Sequence, residues 1–590
     1  MATIKTEQDE IVPVIQEELD HFESEANTFL RGERDALEFQ VYRLREGTYG
    51  QRQTDVHMMR IKIPGGALSA RQLEVLGEVA LKYTPLDKGH ITTRECIQIH
   101  HVPLTDMIKV KNRIAEVGLT SREACGNTVR NVITCPMAGI CRNESFDLNP
   151  YLAAYVRYFI RKPFTQVMPR KFKTSFSPCE SDCANAPYHD MGFVGKMRDV
   201  NGVPTKGFAI YVGGGSSIMP REAKVLYDFV PVDEYLRVSE AVLRVYNQSD
   251  ELRKNRMMAR IKVLVDRIGI DAFREKVEEE LKQPWAANPI DPTPYMVENY
   301  ETVPGPYAYG NGNNSDAGAS AEYLHWKTTN VVPQRQAGYY AVAVKIQAGD
   351  LSSTEFGAIA ELSRKYGNGQ VRLSFEQNFV FRWVPSDKLL PLWEELGKLD
   401  LAEAGVSEIT DVTSCPGTDS CKMGITSSMG AGRAIRDTVM SLDIVDPLTK
   451  KMHIKVSGCP NGCGRHHLAS IGFQGAAIKG ADGEQVPSYE VYIGGRYMDG
   501  TFRYAKRITQ KVPAKRLPEA VKRLVGFYET TRNTDESFDD FVDRVGHQAF
   551  EPIISDLRDV GPVAQNTAIY EDWERIGLYK LERGEGECAV

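Results

Sequence analysis

Four cysteines recur at one fixed offset, and that repeat constrains the chain more than any other feature. Cys135 and Cys141 are spaced C-x5-C, and Cys179 and Cys183 are spaced C-x3-C; Cys415/Cys421 and Cys459/Cys463 repeat both spacings 280 residues later. Neighbouring sequence moves with them. Gly192-Phe193-Val194-Gly195 returns as Gly472-Phe473-Gln474-Gly475, and Tyr211-Val212-Gly213-Gly214 as Tyr492-Ile493-Gly494-Gly495. Upstream, RIKIPGGALSARQLEVL from Arg60 matches AVKIQAGDLSSTEFGAI from Ala343. Each reads as an alternating strand, a glycine turn, a serine helix start and an amphipathic helix. HITTRECIQIHHVP from His90 then matches RLSFEQNFVFRWVP from Arg372, a β-rich run closed by proline. The chain therefore consists of two homologous halves, each a strand–helix–strand unit followed by a larger cysteine-bearing domain. Such halves pack about a pseudo-twofold axis, with a shared site between them. The stretch AANPIDPTPYMVENYETVPGPYAYGNGNNSDAGAS joins them and is too rich in Pro, Gly and Asn for a helix or central strand.

Composition narrows the class. With 590 residues, 42% hydrophobic and 26% charged, the chain reads as a soluble protein with several cores. It has no apolar run long enough for a membrane span. Its start, MATIKTEQDEIV, is acidic and unlike a secretory or transit signal, so a cytoplasmic setting with reduced thiols is expected. A net charge of −7 gives no support for nucleic-acid binding.

In a reducing compartment, paired cysteines argue for metal before disulfide. Four thiolates suit a tetrahedral zinc or an iron–sulfur cluster. Structural zinc prefers C-x2–4-C knuckles, whereas C-x5-C with C-x3-C suits the larger cluster better. Cys96, Cys125 and Cys588 stand alone, and Cys588 in GEGECAV reads as an exposed thiol. Gly213-Gly214-Gly215 and Gly430-Ala431-Gly432 lack the context of a dinucleotide site and read as close packing.

TSCPGTDSCKMG followed by KVSGCPNGCGRHH, together with GTYGQRQTDVHMMRIKIPGG, ITTRECIQIHHVPLTD, ACGNTVRNVITCPMAG and MPRKFKTSFS, resembles the siroheme-dependent sulfite and nitrite reductases over residues 35–550. The resemblance implies an α+β fold: two homologous halves related by a pseudo-twofold, each a ferredoxin-like α/β half-domain plus a larger mixed α/β siroheme/cluster domain. The expected divisions are an N-terminal extension (1–37), half-domain 1 (38–110), siroheme-domain repeat 1 (111–285), linker (286–328), half-domain 2 (329–405), cluster domain repeat 2 (406–560) and tail (561–590). It further implies that Cys415, Cys421, Cys459 and Cys463 hold a [4Fe–4S] cluster, with Cys463 also the proximal ligand of siroheme. Asn461 tunes hydrogen bonds to sulfur, and Gln377 and Asn378 lie near the siroheme edge. Arg94, Arg130, Lys171 and Lys173 are the implied anion-binding and catalytic cations; Arg supplies a planar fork, and Lys a mobile charge that can deliver protons.

The implied reaction is six-electron reduction of sulfite, with nitrite as the alternative and ferredoxin or a flavoprotein as donor. A non-catalytic electron carrier and a zinc-stabilised structural protein are the rival classes. Three points depart from the family or stay open. Single-chain members usually lack the first-half quartet, so Cys135, Cys141, Cys179 and Cys183 hold a second cluster or are a relic. Glu95 stands where the family commonly has Gln, and either weakens anion binding or faces away. The Lys171/Lys173 pair resembles sulfite reductases, since nitrite reductases more often carry Asn at the second position. His466 and His467 read as turn residues, and His100 and His101 are left unassigned.

Overall fold

The computed structural model describes residues 11–297, 301, 303–305, 318–498, 500–584 and 586–587; Cys588 and parts of the linker lie outside them. Each half contributes two five-stranded sheets. In the first cysteine-bearing domain, Val129–Thr134, Phe172–Ser177 and Met191–Val200 run parallel, and Val203–Val212 and Lys224–Pro231 continue antiparallel. Thr413–Ser414, Ile454–Ser457, Ile471–Lys479, Gln485–Ile493 and Lys506–Pro513 repeat this order and sense. The 280-residue offset survives in the register: Thr174 pairs with Met191, and Ile454 with Ile471. Each domain has its own apolar core.

The two ferredoxin-like units instead share one core and exchange strands. Ala67–Ser69 of the first half pairs with Gln370–Leu373 of the second, and Asp350–Ser352 of the second pairs with Lys88–Ile91 of the first. This reciprocity is what a pseudo-twofold requires. The local signals that set it up are the expected ones. Ser69 with Gln72, and Ser352 with Glu355, form capping boxes that start the helices Ala70–Tyr83 and Ser353–Tyr366. Before each helix, Gly66 (φ 68°) and Gly349 (φ 71°) adopt the left-handed conformation. A Cβ there would lie 2.6 Å from the carbonyl oxygens of Leu373 and Ile91 respectively, so each crossover needs glycine.

Within the linker, Glu301 is anchored with its side chain 9% exposed. Glu301 pairs with Arg372 and Arg382 and accepts from Trp383 Nε1 at 2.9 Å. The tail is also anchored: Glu587 is buried, pairs with Arg43 at 2.7 Å and accepts from Gly50 N–H at 2.7 Å. Gly430 and Gly432 lie inside the helix Ser428–Ser441. No described helix is long and apolar enough to cross a membrane.

Candidate cofactor and anion site

Parallel strands aim their C-terminal ends at loops, and both quartets leave from such ends. Cys415 directly follows Thr413–Ser414, and Cys459 follows Ile454–Ser457 after one glycine. The loop after Cys459 turns through left-handed Gly462 (φ 67°) and Arg465 (φ 59°). Its first-half equivalents, Asp182 and Asn185, are left-handed too (φ 51° and 57°).

Cys415, Cys421, Cys459 and Cys463 line one cavity enclosing about 1530 Å³, its mouth to solvent included. Among the described cysteines only Cys463 is exposed, and its exposure is toward this space. Gly458 N–H donates to Cys415 Sγ at 3.3 Å. Burial, followed by the charge of Cys463, pushes the Cys415 thiol up to about 11 and raises Cys459 well above its ordinary value. Without a metal these buried thiols stay protonated, and to act as thiolates together they need a cation among them. The donor set fits a [4Fe–4S] cluster: soft ligands on two strand-end loops, a backbone amide aimed at sulfur, and one sulfur more open to the cavity than the others.

The first half supplies the charge. Arg94, Arg130, Lys171 and Lys173 all line the same cavity, as do Asn461 and Gln377. Arg94 sits in the turn between Lys88–Ile91 and Ile97–Pro103; its Nη2 donates to Asn131 O at 2.5 Å and Thr174 O at 3.3 Å, while Nε is buried without a hydrogen-bond partner. Burial and then Arg465 lower its pKa to about 10. Arg130 is held by the carbonyls of Gly126 (2.8 Å) and Ala124 (3.1 Å). Lys173 is lowered well below its ordinary value by burial and then by Arg94, Arg260 and Lys171. A carboxylate-rich tetrapyrrole or an inorganic anion is what such a wall lacks.

Asn378 is not part of this wall. Its Oδ1 accepts from Ile346 N–H at 2.8 Å and its Nδ2 donates to Asp411 at 2.8 Å, so both polar ends are spent on the backbone and a neighbouring loop. Glu95 faces away from the cavity: it is fully buried, accepts from Thr134 N–H at 3.2 Å, and burial raises its pKa to about 8. His466 and His467 form a buried one-turn helix outside the lining, with His466 Nδ1 2.9 Å from Ser457 Oγ. Arg60, Arg170 and Arg465 line the cavity and were not singled out from sequence, although each lies within a quoted motif, and His100, left unassigned there, lines it too. Arg465 is fully buried over the rings of Tyr188 and Phe375, donates to Thr93 O at 2.9 Å, and keeps Nη1 without a hydrogen-bond partner.

The nitrite and sulphite reductase 4Fe-4S domain matches residues 125–285 and 405–557, and the nitrite/sulfite reductase ferredoxin-like half domain matches 49–117 and 332–399. A ferredoxin sulfite reductase of Mycolicibacterium paratuberculosis is 30% identical, over 82% of this chain and 81% of its own. An assimilatory ferredoxin-dependent nitrite reductase of Haloferax mediterranei is also 30% identical, over 87% of both chains. The solved structure of the Mycobacterium tuberculosis NirA protein superposes with a TM-score of 0.74 at 26% identity, covering 90% of this chain and 95% of that one. Both repeats of both domain types are matched in their expected order, so the chain belongs to the nitrite and sulphite reductases, oxidoreductases that carry siroheme and a [4Fe–4S] cluster.

Proposed function

We propose that this chain reduces sulfite to sulfide with electrons from a ferredoxin-type donor. The observation that carries the reading is that Arg94, Arg130, Lys171 and Lys173 share one cavity with the exposed Cys463. When bound in this cavity, the cluster and siroheme would supply single electrons for reduction of the anion. Cys415, Cys421, Cys459 and Cys463 would hold the cluster, and the exposed Cys463 thiol is the one that would couple it to siroheme. Gln377, whose amide spans Ile91 O (2.9 Å) and Ser414 N–H (3.0 Å), keeps the two halves in register beside that edge.

The fixed guanidiniums of Arg94 and Arg130 orient the anion's oxygens. The lysines supply protons as each oxygen leaves as water. Lys173 is crowded by cations, so an arriving anion restores its affinity for a proton. Sulfite brings more negative charge than nitrite at neutral pH, and a cluster of four cations suits the greater charge. Keeping the quartet thiols available for metal calls for a reducing, cytoplasmic setting.

One observation favours nitrite, the relation to the Haloferax nitrite reductase. Turnover of both anions by wild type and Lys173→Asn separates the readings. The variant should lose sulfite turnover by about 10²-fold and shift the ratio toward nitrite; an unchanged ratio overturns the preference for sulfite.

A further inference from the structure

The first-half quartet has the spacing of the second but not its geometry. Cys141 Sγ and Cys179 Sγ are 3.7 Å apart. The Cys183 thiol interacts with both Cys135 and Cys179, so the four sulfurs form a connected group. In the second quartet, the thiols influence one another through charge rather than contact. With metal–sulfur bonds of about 2.3 Å, a tetrahedron of thiolates around one ion has edges of about 3.8 Å. A cubane spreads four irons between its ligands and holds their sulfurs farther apart. The contact seen here has the length of a single-ion edge.

The surroundings agree. None of the four thiols lines the large cavity. The loop between Cys135 and Cys141 is instead gripped by the second half: Arg382 donates to Pro136 O (2.7 Å) and Ala138 O (2.9 Å), and Arg335 N–H donates to Ile140 O at 2.8 Å. Cys135 and Cys179 are buried and the other two half-buried. Asn143 N–H donates to Cys141 Sγ at 3.4 Å, as an amide does to a metal-bound thiolate. Among the described residues, neither quartet has three side chains already placed about one ion-sized point.

We propose that Cys135, Cys141, Cys179 and Cys183 bind a single thiophilic divalent ion of the zinc class, a structural site that ties the first cysteine-bearing domain to the second half. It is neither a second cluster nor a relic. Zinc has no redox chemistry, so the site takes no part in electron delivery.

The test is metal analysis of the purified holoenzyme, wild type against Cys141→Ser/Cys179→Ser. Wild type should carry about one ion, zinc by class, beyond the siroheme iron and about four cluster irons. The double variant should lose that one equivalent while keeping its chlorin spectrum. About eight non-haem irons in wild type overturn the proposal in favour of a second cluster, and no extra metal overturns it in favour of a relic. If the variant does not fold, wild type decides alone: Co²⁺ added after mild chelation should give tetrahedral cobalt–thiolate bands, and their absence overturns the site.

Discussion

The two quartets share ligand spacing, strand-end placement and left-handed loop residues, yet they face different worlds. The second opens onto a cavity lined by cations of the first half; the first is closed over by Arg335 and Arg382 of the second. Ligand spacing is therefore a necessary condition for a cofactor site and not a sufficient one. What decides is the opposing half. In the repeat alignment, His90 and His100 correspond to Arg372 and Arg382. The histidines line the open cavity, while the arginines hold Glu301 of the linker. One pseudo-equivalent position thus opens on a cavity and the other receives a piece of the chain itself.

The sharpest way to break this comparison is to make one change at both equivalent positions. Cys463→Ser should bring sulfite and nitrite turnover to background and abolish the coupling between chlorin and cluster signals. Cys183→Ser should leave the chlorin spectrum intact and turnover within about two-fold of wild type, because a structural metal works through stability. The check is anion turnover and the visible spectrum on parallel preparations. Loss of activity from Cys183→Ser would mean the first quartet serves the reaction directly.

Next in size is Glu301. It is buried, and although burial acts upward on its pKa, Arg382 and Arg372 outweigh it and hold the carboxyl low. Glu301→Ala strips the shared countercharge from two buried guanidiniums and should cost about 3–5 kcal/mol, read from denaturant midpoints at neutral pH. A depressed carboxyl stabilises the fold above its unfolded value of 4.5 and loses that contribution as pH falls through the lower folded value. The wild-type advantage over Glu301→Ala should accordingly shrink in acid. Siroheme content should stay unchanged, since Glu301 does not line the cavity.

Much of this is legible in the sequence. The repeat offset carried the fold, because duplicated strand ends keep their register, as Thr174–Met191 and Ile454–Ile471 show. The capping serines were readable because the signal lies within four residues. The exchange of Ala67–Ser69 and Asp350–Ser352 was not, since a three-residue edge strand carries no periodicity of its own. Arg94, Arg130, Lys171 and Lys173 were found together because cations cluster in few motifs. Asn378 lies outside the cavity lining because its amide is taken up by Ile346 N–H and Asp411, partners that no local pattern reveals. The anchoring of Glu301 and Glu587 depends on partners hundreds of residues away, beyond any local pattern.

The smallest effect tests the comparison at a single residue. Glu95 and Gln377 are equivalent in the repeat alignment, and both are left-handed and buried (φ 53° and 70°). The second half solves the position with a neutral amide, the first with a carboxyl that burial holds at about 8 against 4.5 unfolded. Between those values the folded chain keeps a proton that the unfolded chain has released. Stability therefore falls as pH rises through that window, by about 1.4 kcal/mol per unit at most, and the full penalty stands above about 8. Glu95→Gln should remove the slope and make the variant more stable than wild type at pH above about 8, with little difference below about 4.5. Parallel stability–pH profiles would show that Glu95 is ionised in the fold instead, and that the halves differ there in charge as well as shape.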